Sequence, residues 1–296
     1  MASLKDIQRK IKSVKNTQKT TRAMKLVSSA KLRRTEELAK KSKVYANKLN
    51  ELINEIAQKM CESESNLSDT PYFNTTEAPK VVDIVFITAD KGLCGGFNSQ
   101  TIKRVNKLMA KYKEEGIEVR LRAIGRKGID YFRFNSISML NQIAGLSSSP
   151  DFEKSSEFIQ EVASDFIEGR TNRVVVVNNG YVNMITQAIR ENQLLPIDPI
   201  KFGVTETCSS SDLELEPDDN DALLEVLIKR YIEFSIYYAL IDSLAAEHSA
   251  RMQAMDSATN NAKDMVHQLS ISYNKARQEA ITTELIEIIS GMESMK

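Results

Sequence analysis

Three cysteines and two histidines are the most reactive side chains in this chain, and their spacing organises none of them for catalysis. Cys61, Cys94 and Cys208 form an odd, widely separated set with no CxxC pair, which suggests neither a disulfide framework nor a zinc site and suits a reducing compartment. A Cys94 nucleophile would need a base beside it. His248 and His267 both fall in a distant helical rod, so a Cys/His pair is not expected. His248 reads as a polar contact between helices, and neither histidine has company in the sequence for holding a metal. The one segment shaped for phosphate is Ala89-Asp90-Lys91-Gly92-Leu93-Cys94-Gly95-Gly96-Phe97-Asn98, which closes a strand candidate and opens a helix, the place where a glycine turn can cradle an anion. Its spacing is neither G-x-G-x-x-G nor G-x-x-x-x-G-K-S/T. A structural turn is therefore the first reading, and a nucleotide site the second.

Charge supplies a different chemistry. The chain holds 40 basic and 40 acidic residues, a neutral balance that disfavours a nucleic-acid or membrane-surface protein. Residues 1–43, however, carry fourteen Lys or Arg against three acids. Such an arm is either a solvated face or a complement to an acidic protein surface. Its cations are scattered over all helix faces, so a nucleic-acid adaptor ranks last. Residues 206–221 contribute seven acids and no base, which reads as a solvated loop.

The elements that position these residues follow from where the breakers fall. All six prolines lie between Pro71 and Pro217, and ten of the eleven glycines between Gly92 and Gly203. With only Gly291 outside, the flanks of about 3–60 and 218–290 are thus free of strong helix breakers. Residues 1–60 and 218–296 read as two long helices, and 61–217 as a linker followed by an α/β domain. On the second helix Met252, Met255, Thr259, Ala262, Val266, Leu269, Tyr273, Ala276, Ala280 and Thr283 recur at alternating three- and four-residue steps, a coiled-coil seam whose small residues permit close approach. The first helix keeps one register from Leu4, Ile7, Ile11 and Val14 to Leu49, Ile53 and Ile56, but fills its middle with Gln18, Thr21, Lys25, Ser28 and Thr35. Met24, Leu26 and Val27 lie off that seam, and Ile281, Leu285, Ile286, Ile288, Ile289, Met292 and Met295 cover almost every face of the last turns. Both groups call for cover from outside a two-stranded coil. Between the rods, 61–79 reads as a polar surface linker. Strands are expected at Val81–Ala89, Ile117–Ile124 and Arg173–Asn178, separated by helices near Ser99–Lys113 and Lys154–Glu168, the order of a small parallel sheet. No run is apolar enough to span a membrane and no signal or transit peptide opens the chain, so membrane association is expected only through partners.

Three long blocks then carry a resemblance that covers essentially the whole chain in family order. Asn16-Thr17-Gln18-Lys19-Thr20-Thr21-Arg22-Ala23-Met24-Lys25-Leu26-Val27-Ser28-Ser29-Ala30-Lys31-Leu32-Arg33-Arg34, the turn Ile87–Asn98, and Glu247-His248-Ser249-Ala250-Arg251-Met252-Gln253-Ala254-Met255 with Tyr273–Leu285 resemble the motifs of gamma subunits of bacterial F-type ATP synthases. That resemblance implies a non-catalytic central-stalk rotor coupling proton flow to ATP synthesis or hydrolysis. It implies an antiparallel coiled coil of the terminal helices and a small Rossmann-like α/β domain with a mainly parallel sheet. The implied partners are alpha and beta subunits of the catalytic hexamer, the epsilon subunit and the membrane c-ring, without nucleic acid, at the cytoplasmic face of the inner membrane. No cofactor, metal or catalytic residue is implied. Met24, Lys25 and Arg251 would lie near an acidic segment of a beta subunit; Arg277 and Gln278 would meet the loops that grip the shaft, with Thr282, Glu284 and Glu287 completing that contact. The family usually follows its final glycine with alanine, whereas Gly291 precedes Met292 and Glu293. Cys208 lacks a nearby partner in its loop, so thiol control of the chloroplast kind is not expected. The competing reading is an α/β nucleotide-binding enzyme with helical oligomerisation arms, resting on the Gly92–Gly96 turn.

Overall fold

The computed structural model describes residues 4–62, 71–73, 79–197 and 220–293. Helix α1 spans Leu4–Glu62 and α5 spans Asn220–Glu293; between them run β1 (Val81–Ile87), α2 (Phe97–Glu114), β2 (Glu118–Ile124), α3 (Arg126–Phe134), β3 (Asn141–Ile143), α4 (Phe152–Ile167), β4 (Arg173–Tyr181) and β5 (Gln187–Leu195). The chain divides into two compact units, one of residues 1–29 with 251–296 and one of residues 30–250, so the division falls inside both long helices. The acidic 206–221 segment lies outside the described residues but for its last two.

Within residues 30–250 a five-stranded sheet is ordered β3-β2-β1-β4-β5. The first four strands pair in parallel, and β5 pairs antiparallel to β4. Strand alternation sends Val82, Ile84 and Phe86 of β1 to one face, against Ile102, Val105 and Leu108 of α2 and Ile129 and Phe132 of α3. Val85 and Ile87 go to the other face, against Phe158, Ile159 and Val162 of α4 and Ile228, Ile232, Ile236 and Leu240 of α5. Covering a parallel sheet on both faces explains why β1 is buried along nearly its whole length. Asp151 caps α4 by accepting from Lys154 N at 3.0 Å. Along Ile241–Ala250 almost every residue of α5 is buried, as befits a helix packed on more than one side.

Three features depart from expectation. The 61–79 segment is not wholly a polar surface linker: Pro71–Phe73 form a short 3-10 turn whose Tyr72 and Phe73 are buried in the α4 core, held by Ile197 N donating to Tyr72 O at 2.9 Å. Helix α3 and strands β3 and β5 add to the elements read from the sequence. The rod is also not distant from the glycine turn, because Ala246 and Ala250 of α5 pack on Ala89, Cys94 and Phe97.

Within residues 1–29 and 251–296, α1 and α5 run antiparallel, as two cross-pairs fix: Thr21 Oγ1 lies 2.8 Å from Thr259 Oγ1, and Lys25 Nζ lies 2.6 Å from Asp256 Oδ1. Burial follows the heptad on both helices. On α1, Leu4, Ile7, Ile11, Val14 and Gln18 are half-buried and Thr21 and Ser28 buried; on α5, Met255 and Ala262 are buried and Val266, Leu269, Tyr273 and Ala276 half-buried. Counted outward from the Thr21–Thr259 pair, Leu4 faces the turn at Ala276. Thr283, read as part of the seam, is instead exposed, because the described part of α1 has ended before its level.

Candidate functional site

The Ala89–Asn98 turn is built by side chains reaching back onto backbone. Asn98 Oδ1 accepts from Ala89 N at 2.8 Å, and Asn98 Nδ2 donates to Cys94 Sγ at 3.2 Å. Asp90 Oδ1 accepts from Arg126 N at 3.0 Å and Gly145 N at 2.9 Å, while Oδ2 accepts from Ser147 Oγ at 2.8 Å and Ser148 N at 3.1 Å. Burial works to raise the Asp90 pKa, but these four donors outweigh it and hold the carboxyl below its ordinary value. Thr88 Oγ1 accepts from Gly128 N at 2.9 Å. Gly128 allows this approach, since a Cβ there would come within 2.8 Å of Thr88 Oγ1, and Gly125, with φ 102°, would set a Cβ 1.9 Å from Thr88 O.

This turn lies at the carboxyl ends of neighbouring β1 and β4, the crevice where open α/β sheets take their ligands. Here α5 fills it. Ala246 is fully buried and Ala250 nearly so against Cys94 and Phe97, with Tyr181 of β4 alongside. His248, two residues after Ala246, projects about 200° around the helix from it, so the helix does not direct that imidazole at the thiol. The turn packs as a clamp on a helix, with Cys94 filling space beside Ala246 and Ala250 while its Sγ accepts from Asn98 Nδ2.

Two more polar anchors escaped the sequence reading. Asp242 of α5 takes Arg190 Nη1 at 3.2 Å, Tyr181 N at 3.2 Å and Asn178 Nδ2 at 3.3 Å. Burial raises its pKa, and these partners only partly offset the shift. Tyr181 Oη donates to Glu36 Oε1 of α1 at 2.8 Å, and burial together with that carboxylate pushes the phenol up to about 12. Both bonds tie a long helix to the end of β4.

The residues implied as partner contacts fall into two sets. Met24 and Lys25 are half-buried on α1, and Arg251 is buried on α5; by the antiparallel count Arg251 lies about one turn beyond Lys25. Next to them Leu26 and Val27 are 64% and 56% exposed, an apolar pair without cover in the described chain. Arg277, Gln278, Thr282, Glu284 and Glu287 are all exposed on α5, about 40 Å further along it. Thr282 Oγ1 donates to Gln278 O at 2.9 Å. Beyond them every described residue from Ile281 to Met292 is exposed, with Ile288 and Ile289 at 60%. Sequence reasoning missed Asp256, which engages Lys25; its spacing one residue beyond the seam position Met255 was the available signal.

Among the described residues no group of His, Cys, Asp or Glu is arranged to hold a metal ion, and no helix is long and apolar enough to cross a membrane.

Residues 3–295 match the model of the ATP synthase family. The chain is 67% identical over 296 residues to the ATP synthase gamma chain of a Sulfurovum species and 60% identical to that of a Nitratiruptor species, in both cases over the full length of each chain. Its fold is similar to a chain of the Euglena gracilis mitochondrial ATP synthase (OSCP/F1/c-ring), with a TM-score of 0.66 at 18% identity, covering 99% of this chain and 94% of that one.

Proposed function

This chain belongs to the ATP synthase gamma-chain family, and from that premise we propose that it is a central-stalk rotor subunit working inside a ring of alpha and beta subunits. It stands on the membrane c-ring beside an epsilon subunit and couples proton flow to ATP synthesis or hydrolysis. Residues 1–60 and 218–296 serve as the shaft, and 61–217 as the part that meets the ring base. It is a subunit of the synthase complex and itself does no bond chemistry: it presents different faces to three catalytic sites and so shifts each among conformations of different nucleotide affinity. Its partners hold it at the cytoplasmic face of the inner membrane.

The observation that carries this reading is the bare apolar end of α5, where Ile281, Leu285, Ile286, Ile288, Ile289 and Met292 are all at least half exposed. An apolar sleeve would cover them without fixing a rotational position. Arg277, Gln278, Thr282, Glu284 and Glu287 precede or flank that end as polar grips, and Met24, Lys25 and Arg251 form the second contact level. A filled β1/β4 crevice favours this reading over the nucleotide-binding enzyme. The test is copurification from membranes with alpha and beta subunits, followed by Met24→Lys. The new ammonium should form an extra ion pair with an acidic segment of the ring and impede rotation, so that hydrolysis continues at a reduced rate while proton pumping collapses; pumping at the wild-type ratio would reject the placement.

A further inference from the structure

Lys25 already has a partner within the chain. Its Nζ lies 2.6 Å from Asp256 Oδ1, with the two side chains 38% and 47% exposed. At such exposure an ion pair contributes little to stability, so its effect is on where the ammonium is held. The neighbouring layer fixes the alignment that makes the pair. In the observed register Thr21 meets Thr259, hydroxyl to hydroxyl. Sliding the helices by one heptad in one direction would set Thr21 against Val266 and Lys25 against Lys263, ammonium to ammonium; sliding the other way would set Thr21 against Met252. Either slip would lose both the Thr21–Thr259 and the Lys25–Asp256 pairing, so these two polar layers favour the observed register.

We propose that Asp256 is a positioning residue for Lys25, holding its ammonium along the coil so that α1 offers the catalytic ring a half-neutralised cation. The proposal rests on the reading above that Lys25 faces an acidic segment of that ring. A lysine released from Asp256 has a long, flexible stem and pairs fully with the ring carboxylate, which slows each passage of the shaft past it.

The experiment uses Asp256→Asn in the complex purified with its alpha and beta subunits. Steady-state ATP hydrolysis at about 0.01 M salt should fall about two- to fivefold, and should recover at about 0.15 M, as the Debye length shortens from about 30 Å to about 8 Å. Asp256→Glu should behave as wild type, and in a Lys25→Ala background Asp256→Asn should change nothing. Unaltered turnover, a loss indifferent to salt, or a loss that persists without Lys25 would each overturn the proposal. A chain that does not copurify with the ring would instead sink the functional reading, and this inference with it.

Discussion

Among the described residues Arg122 is the largest side chain to be fully buried, and such an ion is tolerable only when its donors are met by fixed acceptors. Its Nε donates to Asp83 Oδ2 at 2.9 Å and its Nη1 to Glu161 Oε1 at 3.2 Å, while Nη2 bonds Asp165. Arg120 joins Asp83 at 2.6 Å and Asp165 at 3.0 Å, and Arg170 closes on Asp165 at 2.8 Å. Asp83→Ala would remove the fully buried carboxylate that both guanidinium groups share, leaving Arg120 with Asp165 and Arg122 with Asp165 and Glu161, and should cost about 3 kcal/mol in chemical denaturation; a cost under about 1 kcal/mol would mean the cluster is not coupled to folding. Asp90 gives a pH-dependent counterpart. Because its folded pKa lies below the ordinary 3.8, the unfolded chain takes up the proton first. The stabilisation is therefore complete above 3.8 and is lost as pH falls through the folded value. Asp90→Asn should lower stability by about 1 kcal/mol at neutral pH, allowing for partial exposure. The gap in Tm to wild type should close as the buffer is taken from about pH 6 towards about pH 3; a gap constant with pH would contradict this assignment.

At the scale of elements, the helices and central strands were legible because their signals are periodic and long. The heptad on α1 survives a polar middle, since Thr21, Ser28 and Thr35 are buried where Leu4, Ile7, Ile11 and Val14 are only half-buried. What escaped was short or masked by local chemistry. Helix α3 has nine residues between Gly125 and Asn135 and contains Gly128, so its breakers hide it. Strand β5 reads Gln-Ala-Ile-Arg-Glu-Asn-Gln-Leu-Leu and lies at the sheet edge, where little apolar alternation is required. The filling of the β1/β4 crevice could not be read at all, because Ala246 and Ala250 carry no pattern until the topology brings them against Cys94. Their size is the testable point. Ala246→Leu should destabilise by about 1–3 kcal/mol through overpacking, and Ala246→Ser by much less, as read by thermal melts of the chain; equal effects would show that the clamp has slack.

At the scale of the whole molecule, the implied contact residues were legible only through the family, because an exposed Arg277 or Gln278 on a helix carries no mark of its own. Replacing both by Ala leaves the inner positions Tyr273, Ala276 and Ala280 intact. If these side chains transmit torque, synthesis and hydrolysis should fall together, by about tenfold or more, in a complex that still assembles, since hydrogen bonds to a charged group contribute about 1.5–3 kcal/mol each. Turnover within about twofold of wild type would move the grip elsewhere on the shaft. The exposure of α5 from Ile281 to Met292 has a mechanical consequence as well. Among the described residues, Ile281–Met292 of α5, about 17 Å of helix, are exposed without a partner strand, a single strand in line with a double one. Two springs in series share one torque, and the softer takes the larger deflection. Elastic twist between catalytic steps therefore accumulates first in these last turns, and the paired segment behind them delivers its angle almost undistorted.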